Sequence, residues 1–266
     1  MTVEAFAKVN LTLEVLGRRP DGYHEIRSVV LPISFSDSLT LDEAAEGTVV
    51  SDSPHGDNDL AVRAAKVLIA NGARGGVSIS TAKRIPAGGG LGGGSADAAA
   101  VLLALNAMWN LGKSPMELAA IGARVGSDVP SLVLAHHFRR PVLMEGRGER
   151  VRVLEDDEID SLEIGGFLVL ANPGIHASTA EVYARCRPAS ETERGFANGL
   201  QAAACELYPE ISKAIDALSA AGAERAMMTG SGSTVFGFAD GESSAERIAE
   251  RMKAAKYISF VAKPLS

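Results

Sequence analysis

The sequence is short of several things, and each shortage excludes something. It has two cysteines, one tryptophan and 5% aromatic residues, and its 26 Lys+Arg fall below its 33 Asp+Glu. Cys186 and Cys205 lie 19 positions apart without CxxC spacing, which suggests reduced thiols. A formal net charge of −7 argues against a nucleic-acid binder, although a local basic pocket can still hold one small anion. No apolar run approaches the roughly 20 residues that a bilayer span requires, so no membrane partner is expected. The opening MTVEAFAKVNLTLEV carries Glu4 and Lys8 where an export signal would be apolar. With the reduced cysteines, this predicts a cytoplasmic location.

What is present is an ordinary globular composition, 46% hydrophobic and 22% charged over 266 residues, enough for one large domain or two modest ones. In KVNLTLEV, Val9, Leu11, Leu13 and Val15 alternate with Lys8, Asn10, Thr12 and Glu14. That is the pattern of a half-buried strand, with Lys8 and Asn10 on one polar face. Pro20 and Asp21-Gly22 mark a turn, and IRSVVLPISF resumes strand character. Residues 58–70 read as a helix capped by Asn58, and GVSISTAKRIP as a strand. SADAAAVLLALNAMW reads as an alanine-rich helix, and SPMELAAIGARVG as a second one opened by a Ser114–Glu117 capping box with Pro115 at its first position. GSDVPSLVL reads as a loop leading into a strand, and VLMEGRGERVRVL as a hairpin. The acidic stretch Glu155–Asp160 is the expected linker between domains at 1–157 and 158–266. The second half runs strand (GFLVLANP), helix behind a Ser178–Glu181 capping signature, helices near 197–208 and 210–221, strand–glycine turn–strand (RAMMTGSGSTVFGFA), helix and strand. Strands and helices mixed without regular βα alternation predict an α+β fold.

The informative stretch is PAGGGLGGGSA, residues 86–96, in which Leu91 alone interrupts the glycines from Gly88 to Gly94. Strand, glycine loop and helix in that order make an anion site. Amides at a helix N-terminus lack intrahelical acceptors, the helix dipole favours negative charge there, and glycines let the backbone curl around a phosphate. A Walker A loop needs Gly-Lys-Ser/Thr at the helix start, but here Gly94 is followed by Ser95-Ala96. A dinucleotide fingerprint needs an acidic residue at a strand end about 20 positions on, and residues 108–120 offer only Glu117, inside a capped helix.

PAGGGLGGGSADAA resembles the phosphate loop of the GHMP kinases, and within them that of the 4-diphosphocytidyl-2-C-methyl-D-erythritol kinases of the non-mevalonate isoprenoid pathway. AFAKVNLTLEVLGRRPDGYHEI, GSDVPSLV, ANPGIHASTAEVY and TGSGSTVF are similar to further motifs of that family, in order, so the resemblance covers nearly the whole chain. It implies a two-domain α+β kinase with an S5-like N-terminal domain, a ferredoxin-like C-terminal domain and the active site in the cleft between them. It implies ATP with Mg2+, and phosphorylation of the 2-hydroxyl of a small-molecule substrate with a cytidine diphosphate moiety, by a monomer or homodimer. Asp128 would accept or orient the hydroxyl proton. Lys8 would favour its ionised form by proximity and stabilise the phosphoryl group in transit. Lys83, Pro86, Ala87, Gly88, Gly89, Gly90, Leu91, Gly92, Gly93, Gly94, Ser95 and Ala96 would hold the nucleotide, with Arg84 nearby. Asn10, Tyr23, His24, Thr179, Tyr183, Gly230 and Ser231 would hold the substrate, Tyr23 and Tyr183 stacking on the cytosine and His24 reading its edge.

The chain departs from the family pattern in three places. Ala96 stands where the family has a second serine, which makes Ala96→Ser the first substitution to try. The 135–150 stretch is longer and more basic, and NGLQ at Asn198–Gln201 lacks the family's acids. Two other readings remain open: a GHMP kinase for a mevalonate-like or homoserine-like alcohol, which would have no base for Tyr23-His24 to stack on, and a non-catalytic ligand sensor, which would have lost Lys8 or Asp128.

Overall fold

The computed structural model describes residues 1–186 and 197–265. The elements in chain order are β1 (Thr2–Arg18), β2 (His24–Glu43), β3 (Val49–Ser51), α1 (Leu60–Ala70), β4 (Val77–Ala82), α2 (Gly93–Met108), α3 (Pro115–Gly122), α4 (Val129–Phe138), β5 (Val142–Gly146), β6 (Arg150–Val153), α5 (Asp156–Ser161), β7 (Phe167–Asn172), α6 (Thr179–Arg185), α7 (Gln201–Leu207), α8 (Pro209–Ala220), β8 (Glu224–Met228), β9 (Val235–Ala239), α9 (Glu242–Ala254) and β10 (Ile258–Ala262). They form the expected two-domain α+β fold, with one six-stranded and one four-stranded sheet.

In the first sheet the long β2 is the organiser. It pairs antiparallel with β1 along most of its length, with β5 through Ile26–Val30 and with β4 through Ser38–Glu43. β3 lies parallel on β4, and β6 closes the other edge through the β5–β6 hairpin. The second sheet runs β10-β7-β9-β8, all antiparallel. One core lies among α1, α2, α3, α4 and the first sheet, around Leu39, Ile79, Leu102 and Leu132. A second joins the two sheets through Val9, Leu11, Leu31, Leu168 and Phe236. A third packs α7, α8 and α9 on the second sheet.

The Ser114–Glu117 capping box forms in both directions, with Pro115 at the start of the helix. Other expectations need correction. GSDVPSLVL is no strand: α4 begins at Val129, and every residue from Val129 to Ala135 is buried. A helix apolar on all sides has no 3.6-residue signature, so its run reads as a buried strand; Pro130 in the first turn lacks only an N–H that has no intrahelical acceptor there. The cap of α1 is Asp59, whose side chain accepts from the Ala61 amide, while Asn58 ends a short 3-10 turn. The acidic stretch is itself helical, because Glu155 and Glu158 form a capping box at the start of α5. At α6 only half of the capping signature forms: Ser178 accepts from the Glu181 amide, and the Glu181 carboxylate instead accepts from the Tyr208 hydroxyl at 2.7 Å. The polar face of β1 is only partly open: Thr12 and Glu14 are half-buried as expected, but Lys8 and Asn10 are 3% and 2% exposed.

Candidate active site

The polar face of β1 is covered by two glycine-rich turns from elsewhere in the chain. The Lys8 ammonium donates to the Asn10 side-chain oxygen at 2.7 Å and to the Gly90 carbonyl at 2.8 Å. The Asn10 amide group donates to Ser28 Oγ at 2.8 Å, and the Asn10 backbone N–H donates to Thr229 Oγ1 at 3.0 Å. A lysine so enclosed needs a counter-charge, and Asp128 supplies it: its carboxylate lies 3.6 Å from Lys8 Nζ and its side chain is 34% exposed. One partner is therefore fixed and buried, while the other reaches solvent at the start of α4. Both polar atoms of the Asn10 side chain are engaged inside the protein, so Asn10 sits beneath Lys8 as its support.

In front of this pair lies a cleft of about 920 Å³. It is lined by every nucleotide-, substrate- and catalysis-related residue that the sequence suggested, except Arg84, Leu91, Ala96, Tyr23 and His24. The glycine run forms its wall. The carbonyl of Gly89 accepts from the Thr234 amide and that of Leu91 from the Lys8 amide, at 3.2 and 3.1 Å, which ties the loop to both halves of the chain. Gly90 has φ +75°, and a Cβ there would run into the Thr229 carbonyl, so the close approach of the two turns requires glycine. The first amides of α2, at Gly93, Gly94 and Ser95, have no intrahelical acceptor and lie on the cleft wall.

Leu91 and Ala96 do not belong to that wall. Leu91 is 1% exposed and packs between the sheets. Ala96 is fully buried in the core, and its amide already donates to Gly92 at 2.8 Å. Against the expectation of a hydroxyl missing beside the nucleotide, the Ala96 side chain is packed in the core and not on the cleft wall. Ser95 lines the cleft instead.

Lys83 lines the cleft but is held by two acids the sequence reading passed over. Its ammonium donates to Asp37 at 2.5 Å and to Asp97 at 2.6 Å. Asp37 also accepts the Arg84 and Ile85 amides, fixing the strand end that leads into the loop. Burial pushes the Asp97 carboxyl up to about 7, against the pull of Lys83. Burial opposes the Lys83 charge, yet Asp97 and Asp37 outweigh it and raise its pKa. Arg84 turns away over the Phe35 ring, 5.4 Å from its centroid.

On the opposite wall, Thr179 and Ser231 share a hydrogen bond at 2.8 Å. In the sequence Asn198 stands out only for the acids missing beside it. Its amide group donates to the Met228 and Gly230 carbonyls at 2.8 Å each, and Gln201 accepts the Met228 amide. The NGLQ segment therefore holds the Gly230–Ser233 turn in place. Tyr183 lines the cleft, and burial pushes its phenol up. The His24 ring lies on it, with centroids 5.0 Å apart and planes 32° apart, a direct ring contact that leaves no slot for a third ring between them. Tyr23 stands outside the cleft, 53% exposed, on a smaller cavity beside Ser127 and Arg147.

The GHMP kinases N terminal domain model matches residues 59–136, and the GHMP kinases C terminal model matches residues 188–258. A 4-diphosphocytidyl-2-C-methyl-D-erythritol kinase from Geobacter sp. (strain M21) is 40% identical over 93% of this chain and 92% of its own. The enzyme of that name from Moorella thermoacetica is 40% identical over 95% of both. A crystal structure of 4-(cytidine 5'-diphospho)-2C-methyl-D-erythritol kinase superposes with a TM-score of 0.85 at 34% identity over both whole chains. A mevalonate kinase structure, at 15% identity and a TM-score of 0.72, shares the fold.

Proposed function

The chain belongs to the 4-diphosphocytidyl-2-C-methyl-D-erythritol kinase family of GHMP kinases, and on that premise we propose how its cleft performs the reaction. The protein is an ATP-dependent kinase that phosphorylates 4-diphosphocytidyl-2-C-methyl-D-erythritol in the non-mevalonate pathway. The acceptor is the 2-hydroxyl, held against Asp128. Asp128 takes up the hydroxyl proton as the oxygen attacks the γ-phosphorus, and Lys8 neutralises charge on the phosphoryl group between the two oxygens. The 3.6 Å Lys8–Asp128 pair at the mouth of a buried support is the observation that carries this assignment. The free amides at the start of α2 receive the ATP phosphates, where the helix dipole adds to their hydrogen bonds.

Among the described residues, no three His, Cys, Asp or Glu side chains group to hold a metal. This donor set suits an Mg2+ that is bound mainly by the ATP phosphates and water, with Ser95 as the protein hydroxyl at hand. Bound there, the ion supplies charge neutralisation on the phosphates. The base of the substrate is read at the Tyr23–His24 turn and Tyr183, with His24 leaving its present stack on Tyr183 as the base arrives.

Two features favour this reading over its competitors. The solved mevalonate and homoserine kinases share only the fold, at 14–16% identity, whereas the cytidyl-substrate kinases match at about 40% over 93–95% of the chain. Both Lys8 and Asp128 are present, where a ligand sensor has no need of them. The test is ADP release from purified protein with ATP, magnesium and each candidate alcohol. Turnover on mevalonate or homoserine, with none on the cytidyl substrate, overturns the assignment.

A further inference from the structure

The β5–β6 hairpin tip lies between two parts of the site that are far apart in sequence. On one side it meets Ser127, the residue before Asp128: Gly148, at φ +115°, passes so close that a Cβ there would run into the Ser127 carbonyl. On the other side it meets the Arg19–Tyr23 turn. That turn is closed by its own bonds, Arg19 N–H to the Tyr23 carbonyl at 2.8 Å and Tyr23 N–H to the Asp21 carboxylate at 3.1 Å. Ion pairs tie the two together: Glu25 accepts from Arg19 at 2.6 Å and from Arg150 at 2.7 Å, and Arg19 lies 3.9 Å from Glu149. At the centre of the junction the Arg147 guanidinium lies over the Tyr23 ring, 5.3 Å from its centroid. Tyr23, Arg147, Gly148 and Ser127 together line a cavity of about 180 Å³.

Tyr23 is an exposed aromatic with no ring stacked on it among the described residues, so its orientation must be held by something else. We propose that Arg147 is a positioning residue for the substrate: it stacks on one face of Tyr23 and fixes that ring for the cytosine base. The inference rests on the reading above in which the Tyr23–His24 turn receives the base. A planar guanidinium suits this task, since it covers an aromatic face and keeps its charge at all working pH.

Arg147→Ala leaves the Glu25 and Glu149 ion pairs in place, so the hairpin keeps its seat. A contact of this kind in a solvent-exposed place corresponds to about a two- to five-fold effect. The KM for the cytidyl substrate should rise by that factor, with kcat and the KM for ATP unchanged, and Arg147→Lys should recover part of the loss. In a Tyr23→Ala background, Arg147→Ala should have no further effect. An unchanged KM in Arg147→Ala overturns the inference, as does an equal rise in the Tyr23→Ala background. If Tyr23→Ala itself leaves the KM unchanged, the base-binding role of the turn falls and the brace falls with it. If Tyr23→Ala raises the KM and Arg147→Ala does not, the brace alone falls.

Discussion

Replacing Asp128 by asparagine separates what the carboxylate does for catalysis from what it does for the fold. At 3.6 Å the attraction between the two charges is about 4–5 kcal/mol at an effective dielectric of ~20. Much of that is not net stability. Lys8 lost its hydration on burial, and the Asp128 side chain is 34% exposed, so water screens its side of the pair. A value between those of surface and buried pairs, about 1–3 kcal/mol, is expected. Lys8 keeps the Asn10 and Gly90 oxygens as acceptors in the variant, which limits the damage. For a chain of this size the loss lowers the melting temperature by less than about 10 °C. The rate effect should be far larger, because a positioned base contributes about 10²–10⁴-fold. The assay is steady-state ADP release at saturating ATP and substrate, beside a thermal melt of the same preparation. A variant that melts within that range and turns over at near the parent rate removes Asp128 from the proton-accepting role. A variant that loses activity only in proportion to its loss of folded protein does the same.

Three further outcomes follow from the geometry. Gly90→Ala places a side chain on a left-handed residue, at about 1–2 kcal/mol, and drives the loop off Thr229 and Lys8; with displacements near 1 Å costing about 10²-fold, kcat/KM for ATP should fall by at least that factor, and a smaller loss would mean the two turns can part freely. Ala96→Ser should give no gain in kcat and a stability loss of about 1 kcal/mol, since the added hydroxyl is buried and can only bond back to the preceding helical turn; a faster enzyme would place residue 96 at the phosphates after all. His136, half-buried, donates from Nε2–H to the Phe6 carbonyl of β1 at 2.8 Å, and desolvation holds its pKa down at about 4. Its folded pKa lies below the unfolded value of about 6.5, so its contribution is complete above pH 6.5 and is lost as pH falls from there towards 4, by about 3 kcal/mol in all. Urea unfolding at pH 7 and pH 5 should show that slope, and His136→Gln should flatten it; an equal slope in the variant assigns the acid sensitivity to other groups.

The parts of the site that were legible are those whose chemistry is local. A glycine run between a strand and a helix has few other uses, and the period of two put Lys8 and Asn10 on one face without any tertiary knowledge. What the alternation could not show is what covers that face. The cover comes from Gly90 and Thr229, 82 and 219 positions from their β1 partners, and no local pattern carries that distance. The same limit explains Asn10, expected at the substrate: it does line the cleft, and its two side-chain polar atoms are also bonded to Lys8 and Ser28, which the alternation could not show. It also explains Asp37 and Asp97, two ordinary acids until the fold brings them to one lysine.

Ala96 and Asn198 show how a comparison of motifs misleads when geometry is missing. Each departs from the family pattern, Ala96 by the hydroxyl it lacks and Asn198 by the acids missing beside it. At Ala96 the absent hydroxyl would have faced the core, because successive residues of a helix point about 100° apart and Ser95 already takes the cleft-facing position. At Asn198 the neighbouring acids are absent, yet the one side chain that holds the Gly230 turn remains, donating to two carbonyls at once. Losing a group that faces no ligand costs no binding, whereas losing a buried donor to two carbonyls leaves both unpaired, at about 1–3 kcal/mol each. The site therefore depends on Asn198, which no catalytic pattern singles out, more than on the serine that residue 96 lacks.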